Sequence, residues 1–442
     1  MGILVEVSGA LQRLLGEIAE SAAAESGVIQ RRRKFTALSL ARTFVLGFLQ
    51  TPTASDEKLA QMAVQCGVAV TPQAIEQRHT PRLVDFLERL FRSAIQLVVG
   101  SERALAPILE RFVSVTVLDS STISLPDEMQ GHFRGCGGSY DSGVSAMKLQ
   151  TELDLRSGAL AHVEIEAGRS PDGTTSRQEV RRGQGSLRIT DLGYFALAVF
   201  TTMAAAGEYF LSRLQFGTHV LLHSGRAVEV LGWLAKQPGP FVDVSVLLGQ
   251  EQRLPCRLTA WRLPREQASR RRQKLRRELM KKKGREPSAE RLAWCDWTIL
   301  VTNAPAGLLT PQEAAVLYRA RWQVELLFKR WKSLGSAAAL VGSTVVRQMA
   351  RVWSRLLAAV LQHWLMVGTI WGDPSRSLGK VWQAVQTFVG RLAVGLDRPT
   401  ELERVLADMR ATFAKTCRRD KRSKPGTFEL LNDIDLLDFE LT

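Results

Sequence analysis

Cysteine is scarce in this sequence, and long apolar runs are missing. The 442 residues include five cysteines, none in Cys-x-x-Cys spacing, which argues against a disulfide framework and a structural zinc site. No apolar stretch approaches the roughly 18 residues that a bilayer-spanning helix needs. The first residues also lack the basic and then apolar segments of a secretory signal. We therefore expect a cytoplasmic protein with reduced thiols and no membrane partner.

Acidic residues are in deficit relative to basic ones. Lysine and arginine number 59 against 44 aspartate and glutamate, which gives a net charge of +15 and an isoelectric point near 10.0. Such an excess favours a polyanionic partner, either a nucleic acid or an anionic membrane surface. The length is too great for one core and suits roughly two to four domains.

The first 105 residues read as mostly helical, with a basic cluster at Arg31-Arg32-Arg33-Lys34. Ser55 and Thr71 are each placed to cap a helix, and Gly67 lies in the turn between the two helices. This order is the outline of a helix-turn-helix, in which the second helix enters a DNA groove. Two packed helices of a small bundle would have the same pattern, and the basic cluster favours the contact with DNA.

Two aspartates are predicted to follow buried strands. Residues 113–117 alternate in character, which predicts a strand that ends at Asp119. A meander of two strands turning at Gly158 comes next. Leu187, Ile189 and Asp191 then share strand parity, so Asp191 ends a further strand. A single aspartate after a strand is more often a turn former or a helix cap, but a rigid strand is also a suitable support for a metal ligand.

A β-rich block of residues 217–296 separates these aspartates from the next helix. Between Pro264 and Pro287 it contains a very basic segment, which we predict to be a helical hairpin. That segment is either a solvated surface or one that follows DNA phosphates, and the large excess of cations favours the second. A last strand begins at Trp297, and Thr310 is placed to cap the helix that follows.

The stretch Tyr318–Lys332 has no proline or glycine and predicts a helix. At about 100° per residue, one broad face is apolar and includes Val316, Leu317, Ala320, Val324, Leu327, Phe328, Trp331 and Leu334. A narrow stripe nearly opposite includes Tyr318, Arg321, Glu325, Lys329 and Lys332. Taken alone, such a stripe indicates a solvated face with ion pairs between successive turns.

The spacing within this stripe is typical of a known signature. Two, three and six residues separate Tyr318, Arg321, Glu325 and Lys332, and this pattern resembles the YREK signature of bacterial cut-and-paste DDE transposases, the insertion sequence four family. The resemblance implies that Glu325 is the last of three metal-binding catalytic carboxylates, after Asp119 and Asp191. It also implies that DNA phosphates are held by Tyr318, Arg321, Lys329, Lys332 and Arg213.

The local sequences agree with this resemblance at two further places. Asp191 lies in an Asp-x-Gly-Tyr context and Arg213 ends a Tyr-Phe-x-x-Arg run, although Leu192 replaces a basic residue that many relatives have. The implied fold is α/β, with a ribonuclease H-like catalytic domain interrupted by a β-rich insertion and flanked by helical regions. The implied domains are 1–105 (DNA-binding), 106–216 and 297–370 (catalytic), 217–296 (insertion) and 371–442 (helical, for dimerisation).

The resemblance also implies a reaction and its partners. Two Mg²⁺ ions, replaceable by Mn²⁺, would support nicking at the element ends, hairpin formation and opening, and strand transfer into target DNA. A homodimer would hold two terminal inverted repeats at the nucleoid. Trp297 would stack on a flipped base, or would only pack the insertion onto the sheet. Two other functions stay open: an inactive DNA-binding descendant of a transposase, and a basic protein that binds membranes.

Overall fold

The structure is a computed structural model. It describes residues 2–30, 34–102, 104–136, 144–239, 241–321, 327–328, 331, 344–371, 373, 375–420 and 425–434. The chain forms two compact units, each built from three separate stretches of sequence. Unit 1 comprises residues 1–105, 120–170 and 324–422, and unit 2 comprises residues 106–119, 171–323 and 423–442.

The described helices are α1 (Ile3–Arg13), α2 (Ala19–Ser26), α3 (Ala37–Gln50), α4 (Asp56–Gln65), α5 (Pro72–Glu76), α6 (Pro81–Ala94), α7 (Pro107–Glu110), α8 (Leu197–Ala205), α9 (Val230–Leu234), α10 (Arg265–Lys283), α11 (Ala289–Trp294), α12 (Pro311–Ala320), α13 (Val345–Ile370), α14 (Leu378–Val385), α15 (Val389–Gly395), α16 (Pro399–Thr416) and α17 (Thr427–Asn432). The described strands are β1 (Val115–Leu125), β2 (Ser145–Asp154), β3 (Leu160–Ala167), β4 (Leu187–Thr190), β5 (Tyr209–Arg213), β6 (Val220–Leu222), β7 (Ala227–Val228), β8 (Phe241–Leu248), β9 (Leu254–Arg262) and β10 (Trp297–Thr302).

Helix α13 forms the centre of unit 1. Every residue from Val352 to Ile370 is buried, and a helix that is buried all round is a core helix. Helices α1, α3, α6 and α16 pack against it. No helix in the described part of the chain has the length and apolar character to cross a membrane. In the same unit β3 pairs with β2 and β2 neighbours β1, of which residues 120–125 belong here.

Unit 2 is built on a mixed sheet. Its strand order is β1-β4-β5-β10-β9-β8-β6-β7. The pairs β1–β4 and β4–β5 are parallel, whereas β5–β10 and the pairs beyond it are antiparallel. An apolar cluster supports β8, β9 and β10, and it includes Phe200 and Phe210, whose rings stack with centroids 4.3 Å apart. Asp119, within β1, and Asp191, directly after β4, each lie one residue beyond the last pair of these two parallel strands.

The predicted mixed α/β class with helical terminal regions is confirmed, and the sheet is compatible with a ribonuclease H-like fold. The helix starts at Ser55 and Thr71 are also confirmed, because each side chain accepts a hydrogen bond from the backbone three residues on. The second helix of this pair, α5, has only five residues. Of the basic cluster before α3, residues 31–33 lie outside the described residues.

Two local predictions are wrong. Strand β1 does not end at Asp119 but continues to Leu125, because Ser121, Ile123 and Leu125 keep the period-two pattern of buried residues. The basic segment between Pro264 and Pro287 is not a hairpin but the single 19-residue helix α10. None of its residues is a glycine or proline that would break it, and the chain reverses only at Gly284, whose φ is 60°.

Candidate active site

Asp119 and Asp191 lie side by side on neighbouring parallel strands. The β1–β4 pairing ends with Leu118 opposite Thr190, so the next residue on each strand is one of the two aspartates. The backbone of Asp191 stays extended, with φ −81° and ψ 170°. Neighbouring strands are about 4.8 Å apart and in-register residues point to the same face. Two carboxylates that are 72 positions apart in sequence are therefore neighbours on one face of the sheet.

Arg213 continues this row on the next strand. In the β4–β5 pairing Thr190 lies opposite Ser212, which puts Arg213 at the level of Asp191. Its side chain is half-buried. The order across the sheet is thus carboxylate, carboxylate and guanidinium, and all three residues come one position after paired residues of parallel strands.

Arg321 forms an ion pair with Asp119. One guanidinium nitrogen, Nη1, donates to Asp119 Oδ2 at 2.8 Å, and the two side chains are only 10% and 13% exposed. A charge-assisted hydrogen bond in such a poorly hydrated position is stronger than one at the surface. The guanidinium also lies 5.8 Å from the centre of the Tyr318 ring. Arg321 therefore contacts both a predicted metal ligand and the neighbouring predicted DNA ligand.

Tyr318 contacts the other aspartate. Its hydroxyl donates a hydrogen bond to Asp191 Oδ1 at 3.3 Å. Burial raises the pKa of Tyr318, and the negative charge of Asp191 raises it further. The phenol is consequently protonated at neutral pH and acts as a hydrogen-bond donor in this position.

Helix α12 holds these two side chains in place. It begins with a capping box, in which the Thr310 side chain accepts from the Glu313 backbone and the Glu313 side chain accepts from the Thr310 backbone. Glu313 also pairs with Arg111 at 2.9 Å. Arg321 follows the last residue of α12 and keeps a helical backbone, with φ −50° and ψ −33°. Residues three apart in a helical backbone share a face, so Tyr318 and Arg321 reach the aspartates together, while the opposite face of α12 is buried.

Three of the predicted site residues, Glu325, Lys329 and Lys332, lie outside the described residues. The single helix predicted over Tyr318–Lys332 is interrupted within the described residues, because α12 ends at Ala320 and Arg321 is its C-cap. The residues predicted for its apolar face are nevertheless buried wherever they are described. Val316, Leu317 and Ala320 are fully buried, and the exposed fraction of Leu327, Phe328 and Trp331 is at most 5%.

Trp297 begins β10 and is 9% exposed, and its side chain belongs to the apolar cluster of unit 2. Its backbone carbonyl accepts a hydrogen bond from Arg271 of α10 at 3.3 Å. Sequence reasoning treated Arg271 only as part of a basic run. The spacing of Arg271 in the sequence could have indicated its inward position. It lies three residues after Ala268 and four before Leu275, on one side of a helix, and none of the three is exposed in α10.

The residue types fit a divalent metal ion. Carboxylate oxygens are the ligands that Mg²⁺ prefers, and Asp119 and Asp191 present them side by side. In this structure the Arg321 guanidinium contacts the Asp119 carboxylate oxygen that a metal ion would bind. Within the residues that the structure describes, no group of three or more histidine, cysteine, aspartate or glutamate side chains is arranged to hold a metal. Glu325 is not among those residues.

Comparisons with a protein family model and with individual proteins agree with each other. A family model described as "Transposase DDE domain" matches residues 110–361. The chain belongs to the DDE transposase family. It is similar to the transposase for insertion sequence element IS231B from Bacillus thuringiensis subsp. berliner, with 26% identity over 77% of this chain and 75% of the relative. The transposase for IS1151 from Clostridium perfringens is 24% identical over 65% of each chain.

The predicted resemblance to bacterial insertion-sequence transposases is thus confirmed, and the chain is an enzyme of the DDE transposase type. The matched segment contains both aspartates and the whole of α12. Membership of this family implies a divalent metal cofactor, generally Mg²⁺. The DDE domain match and the row of two carboxylates on the parallel strands therefore agree.

Proposed function

We propose that this transposase moves an insertion sequence by a cut-and-paste route and has the YREK signature of the insertion sequence four family. The proposal rests on one observation above all. Asp119 and Asp191 follow paired residues of adjacent parallel strands, and each is contacted by one member of the Tyr318–Arg321 pair. Spacing in sequence alone would not require these four side chains to meet.

The proposed catalytic carboxylates are Asp119, Asp191 and Glu325, and they would hold two Mg²⁺ or Mn²⁺ ions. Bound metal would supply charge stabilisation for the attacking and leaving oxygens of in-line displacement at phosphorus. In the first step a water oxygen bonds to phosphorus and the 3′ oxygen leaves. The freed hydroxyl then attacks the opposite strand to give a hairpin, water opens the hairpin, and the same hydroxyl attacks target DNA.

The other residues of the site would bind and orient the DNA. Arg321 and Tyr318 would exchange their contacts with the aspartates for contacts with phosphate oxygens, to which guanidinium and hydroxyl groups donate equally well. Lys329, Lys332 and Arg213 would bind further phosphates. Trp297 would stack on a base that leaves the duplex, an unpairing that costs a few kcal/mol; its burial in the apolar cluster supports the alternative role in packing.

The remaining parts of the chain are assigned by the same proposal. A ribonuclease H-like catalytic domain would comprise residues 106–216 and 297–370, interrupted by the insertion of residues 217–296. Residues 1–105 would bind the terminal inverted repeats and residues 371–442 would support a homodimer on the paired ends. The net charge of +15 supports binding to DNA.

The test is cleavage of a duplex that carries the element end, with Mg²⁺ present. We expect Asp119→Ala, Asp191→Ala and Glu325→Ala each to abolish cleavage while DNA affinity stays within a few-fold of wild type. Asp127→Ala, at an exposed position, is the matched control and should cleave normally. A variant that still nicks at the wild-type rate would remove its residue from the triad, and binding without any cleavage by the wild type would favour the inactive descendant.

A further inference from the structure

Arg271 lies on the inward side of the basic helix α10, the side on which Ala268 is buried. Its guanidinium Nη1 donates to Trp297 O at 3.3 Å and to Thr298 Oγ1 at 3.1 Å. The preceding residue, Arg270, has a side chain that is 74% exposed and paired with Glu266 one turn earlier. Arg271 is thus fixed against β10, and both of its hydrogen-bond acceptors are uncharged.

Arg213 approaches the same place from β5. In the β5–β10 pairing Arg213 lies opposite Leu300, and Thr298 is two residues away on the same face of β10. Arg213 and Arg271 therefore emerge on one face of the sheet. Burial lowers the pKa of Arg271 to about 10, and the positive charge of Arg213 is the next cause. The two guanidinium groups are close enough to repel each other.

No carboxylate forms an ion pair with either guanidinium in the described part of the chain. Arg213 has neither an ion pair nor a side-chain hydrogen bond there, and Arg271 bonds only to a carbonyl and a hydroxyl. Two like charges in a half-buried position are unfavourable unless an anion compensates them. The neighbouring carboxylate, Asp191, accepts its hydrogen bond from Tyr318 instead.

We propose that Arg213 and Arg271 together bind one phosphate group of the DNA, next to the phosphate that is cleaved. The inference rests on the proposed function and adds a second helix, α10, to the active site. Guanidinium groups match phosphate oxygens in pairs of parallel hydrogen bonds. The row across the sheet then reads Asp119, Asp191 and the arginine pair, so the bound phosphate lies on the side of Asp191 away from Asp119.

The test is a scan with duplexes that carry the element end and one uncharged methylphosphonate at a time along the cleaved strand. Binding is measured by fluorescence anisotropy in EDTA, so cleavage does not enter. We expect wild-type affinity to fall roughly tenfold, the effect of one charged hydrogen bond, at a single position beside the cleaved bond. Arg213→Gln and Arg271→Gln should each weaken binding to the unmodified duplex about as much and lose the response at that position.

Arg270→Gln is the matched control, because it removes one charge from the exposed side of the same helix and should keep the response to the neutral phosphate. If Arg213→Gln and Arg271→Gln both respond to the scan as wild type does, the phosphate site is refuted. Thermal melting shows whether each variant is folded. If Arg271→Gln is unfolded, the result for Arg213→Gln alone tests the phosphate site, because the Arg213 side chain makes no hydrogen bond in the described structure whose loss could unfold the protein. If wild-type protein binds the duplex but does not cleave it in Mg²⁺, the proposed function is refuted. The methylphosphonate scan still tests the phosphate site in that case, because it measures binding alone.

Discussion

The contact between Arg321 and Asp119 brings a cation to a proposed metal ligand before any metal is bound. The guanidinium lies 2.8 Å from Asp119 Oδ2, and neither side chain is more than 13% exposed. A guanidinium and a divalent ion compete for the same carboxylate oxygens. In the DNA-free protein, Arg321 should therefore weaken metal binding, whereas on DNA it is free to bind a phosphate.

We expect Arg321→Gln to bind Mn²⁺ more tightly than wild type in the absence of DNA, by roughly tenfold, which corresponds to the loss of one charge-assisted hydrogen bond. Isothermal titration calorimetry measures this affinity directly. Cleavage should nevertheless slow, because the same guanidinium is proposed to hold DNA. Arg404→Gln changes the net charge equally at an exposed pair with Glu401, and it should leave the Mn²⁺ affinity unchanged. Equal or weaker Mn²⁺ binding by Arg321→Gln would show that the guanidinium does not compete with metal.

At the scale of elements, the turn between β2 and β3 is attached to the central helix of unit 1. Gly158 has φ 76°, and a Cβ added there would collide with the indole ring of Trp371. His363 of α13 lies with Nε2 2.7 Å from the Gly158 carbonyl oxygen. Two features therefore require glycine at this position: the left-handed backbone conformation and the close approach of the Trp371 ring.

Gly158→Ala should lower the free energy of unfolding by about 2–4 kcal/mol, because left-handed strain of about 1 kcal/mol is added to overpacking of about 1–3 kcal/mol. Gly27→Ala is the matched control: its φ is 63°, but nothing lies within 4 Å of the added Cβ. It should cost only about 1 kcal/mol. Urea unfolding measures both. Equal losses in the two variants would mean that the ring moves aside.

Local periodicity predicted most elements, since strand alternation and helix caps are properties of a few adjacent residues. The pattern up to Val117 predicted β1, and Thr310 predicted the start of α12. Two predictions were wrong because a local signal was misleading. The sequence around Asp119 indicated the end of a strand, although β1 continues to Leu125, and the long basic run indicated a hairpin, although it forms the single helix α10. The pairing of Arg321 with Asp119 could not be predicted, because residues 202 positions apart meet only through the sheet register.

The two compact units of the molecule are not consecutive in sequence, because each combines stretches from distant parts of the chain. Unit 1 joins residues 1–105 to residues 324–422, and α3 and α6 bury their apolar faces against α13. Phe91 lies 5.5 Å from Trp353, ring to ring. Asp56, at the start of α4, is 8% exposed and pairs with Arg347 and with Arg351 of α13. The helices of residues 1–105 therefore depend on a helix that is synthesised more than 200 residues later.

A fragment of residues 1–105 should consequently fail to fold by itself, although it contains the predicted DNA-binding helices. Without α13 the fragment would expose the apolar faces of α3 and α6 to water. The Asp56 carboxylate would also lose both arginine partners and keep only His79. We expect no cooperative urea transition by circular dichroism, whereas the full chain should have one. Co-expression with residues 106–442 is the control and should restore the transition in the assembled pair. A sharp transition in the isolated fragment would instead establish an independent DNA-binding domain, whose packing on α13 adds little to its stability.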